Sequence, residues 1–368
     1  MLQNTPQKTS VAVALSGGLD SLMSAWLLQQ QGYKVMGIHA KFIAKASSDD
    51  ALQKACDFLN LPLHILDLQQ AFKQNVIDPF IQTYLQAKTP NPCALCNPAL
   101  KFGLLMDESS RLGADYLATG HYARIGQFRP ATSEHAGSKS HEEAFWTIYP
   151  AQDLAKDQSY FLALVPQKRL ERVMFPLEDK EKPELRALAE KLGLPIPEPK
   201  ESQEICFVPN DDYRAFLENS GCKLPLGGPM LLPNGSEVGQ HKGLWQYTEG
   251  QRRGLGIAAE APLYVIAKDV ANNALIVGPK DYLASYECKA ECLNIFVPAE
   301  YWPKQVLVRV RYRQKAVPAQ VVVLASAKTD EQASMHITFS QAQDPPAKGQ
   351  LAVVYHPQGF ILAGGIIC

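Results

Sequence analysis

The 368-residue sequence predicts an α/β protein with an N-terminal doubly wound parallel sheet over residues 1-205, a small central domain over 206-284 and a C-terminal β-barrel over 285-368. Three observations carry this expectation. Apolar, β-branched runs alternate with helix-forming stretches through the first third of the chain, the rhythm of a parallel sheet covered on both faces. A connector spaced by Pro195, Pro197 and Pro199 then precedes a change of composition, as at a domain boundary. Beyond Gly221 helix signals fade, and short β-rich runs broken by Gly and Pro take over.

The first buried strand is Val11-Ala12-Val13-Ala14-Leu15, and the helix after it stops at Gly32. Residues 33–40 read as a second strand, 49–59 as a helix, 61–67 as a third strand and 71–85 as a helix. Prolines stiffen the segment 89–98 into a loop that holds Cys93 and Cys96 off regular structure. Residues 99–112 are helical, and 114–124 form a strand entering a Thr119-Gly120-His121 turn, which faces the ligand end of the sheet. Residues 127–143 read as a mobile insertion, and the helix 182–192 ends at Gly193. Pro233-Asn234-Gly235-Ser236 marks a hairpin. Strands at 306–312, 319–324, 334–339, 351–355 and 360–363 make the barrel; Arg309, Arg311 and Arg313 alternate along one strand and so share a face.

The turn after the first strand, Ser16-Gly17-Gly18-Leu19-Asp20-Ser21, carries the first chemistry. Two glycines let backbone N–H groups converge on a phosphate, and the following helix aims its positive end there. The string has neither the lysine of a Walker A loop nor the Gly-x-Gly-x-x-Gly dinucleotide pattern. It resembles the PP-loop of ATP pyrophosphatases, which implies an adenine nucleotide α-hydrolase-like fold, cleavage of ATP between its α and β phosphates, and AMP left on a substrate oxygen.

Bulk properties narrow the setting. Lys and Arg total 36 against 37 Asp and Glu, so a net charge of -1 provides no overall attraction to nucleic acid and any RNA contact is local. The N-terminus has no signal-peptide core and no stretch approaches membrane-spanning length, so a cytoplasmic protein with no membrane contact is expected, its 8 cysteines reduced thiols. Cys93 and Cys96 make a Cys-x-x-Cys, with Cys206 in a separate apolar segment. Buried structural thiols, half of a zinc site and a thioredoxin-type pair are competing readings. Zinc needs a second half, for which Cys288 and Cys292 are the candidates, and a thioredoxin pair opens a helix directly after a strand rather than sitting between prolines. Adenylation suggests another use. A carbonyl oxygen carrying AMP is a good leaving group, a protein persulfide can deliver sulfur in its place, and a second cysteine can release that sulfur, leaving a disulfide.

At this point the resemblance becomes close. Ser16 to Ser21, Thr89-Pro90-Asn91-Pro92 with Cys96-Asn97, Thr119-Gly120-His121-Tyr122, Lys156-Asp157-Gln158-Ser159-Tyr160, Ser202-Gln203-Glu204-Ile205-Cys206-Phe207 and Tyr247-Thr248-Glu249-Gly250-Gln251-Arg252-Arg253-Gly254 occur in the order of the tRNA-specific 2-thiouridylases (MnmA/TrmU), across almost the whole chain. The resemblance implies 2-thiolation of the wobble uridine of tRNA, with ATP and magnesium as cofactors and the anticodon stem-loop and a sulfur-donor protein (a desulfurase or relay) as partners. It makes Cys96 the nucleophile and Cys206 the persulfide carrier. It gives Ala14, Leu15, Ser16, Gly17, Gly18, Leu19, Asp20, Ser21, Ala40 and Gly120 to ATP. Asn91, Pro92 and Cys93 would meet the target base, and His121, Lys156, Asp157, Gln158, Arg311, Tyr312 and Gln350 would face tRNA. Two departures stand out: the family usually has an aspartate at Cys93, and the segment after the second strand is short and lacks the usual tryptophan. Cys93, Cys96 and Cys206 together open a second route, a [4Fe-4S] cluster on three thiolates, as in related tRNA-thiolating PP-loop enzymes. A PP-loop amidoligase, needing neither Cys96 nor Cys206, and a non-catalytic RNA-binding or iron–sulfur carrier protein are the alternatives.

Overall fold

The computed structural model describes residues 9–43, 49–130, 143–196, 205–324 and 333–368. Positions 131–142 of the expected insertion, Pro197, Pro199 and Ser202-Gln203-Glu204 lie outside them. β1 (Ser10–Ala14), α1 (Leu19–Gln30), β2 (Lys34–Lys41), α2 (Asp49–Phe58) and β3 (Leu63–Asp67) form the expected β-α-β-α-β unit. β4 (Tyr116–Thr119) adds on the other side of β1; β5 (Ala123–Phe128) and β6 (Phe145–Pro150) then pair as an antiparallel hairpin, so the expected insertion is flanked by strand on both sides. With β7 (Val173–Met174), the parallel sheet has the order β3-β2-β1-β4-β7. The alternation of β1 splits its side chains: Val11 and Val13 pack with Leu22 and Leu28 of α1, while Ala12 joins a cluster on the opposite face.

The connection from β3 to β4 departs from the sequence reading. α3 (Gln69–Phe72), a π-helical segment (Lys73–Ile77) and α4 (Asp78–Leu85) run on as one rod. After a short extended stretch the cysteines lie on α5 (Pro92–Cys96), which continues through a second π-helical segment (Asn97–Leu105) into α6 (Met106–Arg111). The expected loop over 89–98 is therefore helical from Pro92. Asn91 caps it, its side-chain oxygen accepting the Ala94 N–H at 3.2 Å, and Pro92 occupies the first turn, where a missing N–H costs nothing.

α7 (Gln167–Leu170) and α8 (Lys182–Leu192) complete the first unit, α8 ending on Gly193 at φ 67. After α9 (Tyr213–Glu218), the central domain is a four-stranded sheet of β8 (Gly228–Leu231), β9 (Glu237–His241), β10 (Tyr264–Asp269) and β11 (Ala274–Gly278), with the expected hairpin between β8 and β9. The C-terminal barrel is closed by six strands rather than the five expected: β12 (Ser285–Ile295), β13 (Val306–Arg309), β14 (Val317–Leu324), β15 (Ser334–Gln343), β16 (Leu351–Tyr355) and β17 (Ile361–Ile367). β12 carries Cys288 inside the barrel and Cys292 in solvent. β13 ends at Arg309, so Arg311 and Arg313 are not on a strand and the expected row of three arginines does not form. The barrel interior is continuous with the Ala12 face of the sheet, through Phe102, Tyr160 and Leu162 to Val308 and Val354. That continuity packs the barrel against the N-terminal domain, where Tyr160 Oη donates to the Leu351 carbonyl at 3.0 Å.

Candidate active site

The cradle at the end of β1 is built from backbone. Gly17 has φ 82, and Gly18 stands extended as the N-cap of α1, which puts Asp20 and Ser21 in the first turn. Ser21 Oγ accepts the Ser16 N–H at 3.2 Å and donates to the Gly18 carbonyl at 2.9 Å, closing the turn. Gly120 is required by close approach: a Cβ there would lie 2.8 Å from the Asp20 carbonyl carbon and 2.9 Å from the Ser21 nitrogen. One Asp20 oxygen accepts from Tyr122 Oη at 3.0 Å and the other from Lys182 Nζ at 3.1 Å. Burial and the facing Asp20 carboxylate both push the Tyr122 phenol up, so it stays a donor.

A cavity of about 500 Å3 opens beside this turn. Ala14, Leu15, Ser16, Asp20 and Ser21 line one wall, Ala40 and Gly120 another, and His121, Gln158 and Cys206 reach it as well. Gly17, Gly18 and Leu19 shape the turn without lining the space. His39 supports it: Nδ1 lies 2.7 Å from the Leu15 carbonyl, which can only accept, so Nδ1 carries the proton. Phe42 and Phe72, stacked with centroids 5.0 Å apart, line the apolar side.

Of the three cysteines, Cys206 lines this cavity, and Cys93 and Cys96 are coupled to that residue electrostatically. Cys96 is 8% exposed at the end of α5, Cys93 is half-buried one turn earlier, and Cys206 is exposed on a turn whose next residue, Phe207, is driven into an aromatic cluster. The Phe207 ring stands edge-on to Phe72, Phe80 and Phe216 at 5.5, 5.1 and 5.5 Å between centroids, anchoring the turn. Burial pushes the Cys96 thiol up to about 11, with Cys206 and Cys93 adding to the rise and Lys101 opposing it. Burial likewise raises Cys93 and, although the residue is exposed, Cys206, each again opposed by Lys101. The thiols thus feel one another and one ammonium. Lys101 Nζ also donates to His121 Nε2 at 3.4 Å, leaving Nδ1 to donate to Thr119 Oγ1 at 2.7 Å. Burial, then Lys101, holds His121 well below its ordinary pKa, as a neutral imidazole at neutral pH. All eight cysteines are free thiols.

The residues expected to face tRNA divide into two sets. Lys156, Asp157, Gln158 and Tyr312 line a second cavity of about 880 Å3, into which Lys182, Arg309, Arg313 and Lys315 also project. Asp20 and Gln158 border both cavities. Asp157 is buried, held by Ser159 Oγ at 2.8 Å and by Arg309 at 3.6 Å, and burial raises its carboxyl pKa. The other set is engaged within the protein. Arg311 donates to the carbonyls of Glu249 at 2.8 Å and Pro345 at 3.1 Å, and Gln350 donates to Thr89 and Pro90. Asn91 and Pro92 are buried, with the Asn91 oxygen used as the helix cap.

Three family models cover the chain in sequence: a tRNA methyl transferase HUP domain over 9–210, a tRNA methyl transferase PRC-barrel domain over 215–279 and an aminomethyltransferase beta-barrel domain over 285–367. The tRNA-specific 2-thiouridylase MnmA of Nitratidesulfovibrio vulgaris strain DP4 is 45% identical over 360 residues, 97% of this chain and 98% of that one. The enzyme of that name from Oleidesulfovibrio alaskensis is 46% identical over 364 residues, 97% and 98% of the two chains. The one from Lawsonia intracellularis is 43% identical over 362 residues, 97% and 99%. The chain belongs to the tRNA-specific 2-thiouridylase family.

Within this 2-thiouridylase, Lys101 and His39 had no role in the sequence reading, and Phe207 had only a place in a motif. Lys101 lies in a π-helical segment whose side-chain directions no 3.6-residue pattern reproduces. His39 sits inside an otherwise apolar strand and Phe207 follows Cys206 directly, the single sequence signal that the cysteine is anchored from the next position. Among the described residues no helix is long and apolar enough to cross a membrane.

Proposed function

We propose that this chain uses ATP to replace the C2 oxygen of the wobble uridine of tRNA with sulfur. The observation that carries the reading is the shared cavity: Ser16, Asp20 and Ser21 of the cradle at α1 and Cys206 line one space, and Cys96 and Cys93 couple electrostatically to Cys206. The uridine C2 oxygen attacks the α-phosphorus of ATP and pyrophosphate leaves into the cradle of Ser16 to Ser21, where N–H groups and the α1 terminus meet its charge. The terminal sulfur of a Cys206 persulfide then attacks C2 and expels AMP. Cys96 thiolate attacks the inner sulfur of Cys206, freeing 2-thiouridine and leaving a Cys96–Cys206 disulfide that an external thiol must reduce. Lys101 opposes the burial that keeps these thiols protonated. Magnesium brought by ATP would meet the Asp20 carboxylate beside the Ser16 and Ser21 hydroxyls and neutralise polyphosphate charge.

The sulfur reaches Cys206 from a donor protein, for which the exposure of that residue leaves room. A single-stranded anticodon loop supplies a uridine that can be turned out of its stack toward α5, while the cations of the larger cavity, Lys156 and Lys315 among them, suit backbone phosphates. For the cluster route, Cys93, Cys96 and Cys206 have the right donor chemistry. Among the described residues, however, no three His, Cys, Asp or Glu side chains converge as a metal site, so as placed they do not fit the cluster and no step is routed through it.

Thiolation assays on Cys96→Ala and Cys206→Ala test the scheme: each abolishes 2-thiouridine formation, and full activity in either overturns it. Cys93→Asp in iron-free protein keeps activity under the persulfide scheme, and its inactivation together with iron and acid-labile sulfide in the anaerobically purified protein establishes the cluster instead.

A further inference from the structure

The stretch that leads into α5 cannot support itself. Of Pro90, Asn91 and Pro92 only Asn91 has a backbone N–H, and each residue before a proline is driven away from helical angles. All three are buried, so the carbonyls of Thr89 and Pro90 need donors from elsewhere. They come from the far end of the chain. The Gln350 Nε2 group donates to the Thr89 carbonyl at 3.1 Å and to the Pro90 carbonyl at 2.9 Å, using both hydrogens of one amide on two successive acceptors. The Thr89 N–H in turn donates to the Lys348 carbonyl at 2.8 Å, and Thr89 Oγ1 lies 3.0 Å from Thr248 Oγ1 of the central domain. Gly349 between them has φ 90, and a Cβ there would stand 2.8 Å from the Thr89 carbonyl oxygen. The anchor is itself rigid, since the Gln350 carbonyl accepts the Ile367 N–H at 2.8 Å in the barrel.

We propose that Gln350 is a positioning residue for sulfur transfer: its amide holds the carbonyls of Thr89 and Pro90, and through them it fixes α5 and the sulfur of Cys96 relative to Cys206, which lines the nucleotide cavity. The barrel then does more than offer a surface to RNA. Its Lys348-Gly349-Gln350 turn sets the geometry of a reaction carried out in another domain, where a displacement of about 1 Å costs on the order of 10²-fold in rate. The tRNA-facing role expected for Gln350 predicts a different signature, loss of affinity.

The test is made on the full-length chain with a cysteine desulfurase and L-cysteine as sulfur source, measuring tRNA Kd separately from kcat at saturating tRNA and ATP. Gln350→Ala lowers kcat about 10²-fold with tRNA Kd unchanged within about twofold. Gly349→Ala, which presses on Thr89 without removing the amide, gives the same split. A tenfold rise in Kd with kcat unchanged makes Gln350 an RNA contact and overturns the proposal; so does an unchanged kcat in both variants. The proposal rests on the tRNA-thiolation reading only for this assay. Amide hydrogen exchange over residues 93–97 accelerates tenfold or more in Gln350→Ala whether or not the wild-type chain thiolates tRNA, and unchanged exchange overturns the clamp on its own.

Discussion

Gly120→Ala isolates the part played by close packing in the nucleotide cradle. The added Cβ would stand 2.8 Å from the Asp20 carbonyl carbon and 2.9 Å from the Ser21 nitrogen, against 3.4 Å for ordinary contact. Both opposing atoms are backbone in the first turn of α1, so neither can swing aside as a side chain would. Something near 0.6 Å of movement is required, and overpacking of that kind costs about 1–3 kcal/mol. The strain falls on the turn whose N–H groups are proposed to receive the phosphates. Where it is relieved by tilting that turn, ATP affinity drops by about 5- to 150-fold. Where it is borne by the whole fold, the melting temperature drops by a few degrees. Calorimetric ATP titration and a thermal melt on the same preparation separate the two. A Gly120→Ala variant that binds ATP and melts like the wild type refutes the claim that this glycine is there for close approach.

Further outcomes follow from the same geometry. Asn91→Ala removes the cap of α5 and costs about 1 kcal/mol, read as a lower denaturant midpoint, whereas Asn91→Asp retains the accepting oxygen and most of the stability. Phe207→Ala takes the anchor from beneath Cys206 and costs about 3–5 kcal/mol, with iodoacetamide reacting faster at Cys206; a wild-type midpoint would deny the anchor. The Cys96 thiol, pushed up to about 11 by burial, is protonated across the physiological range, so its alkylation rate climbs about tenfold per pH unit from 7 to 10. Lys101→Met shifts that profile to still higher pH, because the group opposing the rise is gone, and a plateau near pH 8 in either protein would contradict the assignment. The sign for stability is the same: a folded thiol pKa above its ordinary 9.0 contributes fully below pH 9, and that contribution is lost as pH rises toward 11.

What could be read from the chain alone was whatever is encoded over short spans. The strand-turn-helix of Val11 to Gln30, with Gly17 free to take positive φ, is dictated by neighbours a few residues apart, and so are the hairpin at Pro233 to Ser236 and the end of α8 at Gly193. The family motifs were legible for the same reason, since each is a local string in a fixed order. The error over α5 was also local: prolines at 90 and 92 suggested a loop, but Pro92 after a capping Asn91 is a helix start.

Tertiary structure decided which of those strings face one another. Gln350 and Thr89 are 261 residues apart, Asp20 and Lys182 are 162 apart, and Tyr122 reaches Asp20 across 102. No periodicity in sequence records such pairs, because each depends on where separate cores dock. Only folding brought Lys101 among Cys93, Cys96 and Cys206, through a π-helical segment whose turn differs from the helical period. Only folding turned Arg311 and Gln350 inward to carbonyl oxygens that prolines and buried turns had left without local donors. The sequence by itself determined the chemistry present, a phosphate cradle and three thiols; the packing of the chain determined that Cys206 lines the cavity beside the cradle and that Cys93 and Cys96 lie within electrostatic reach of it.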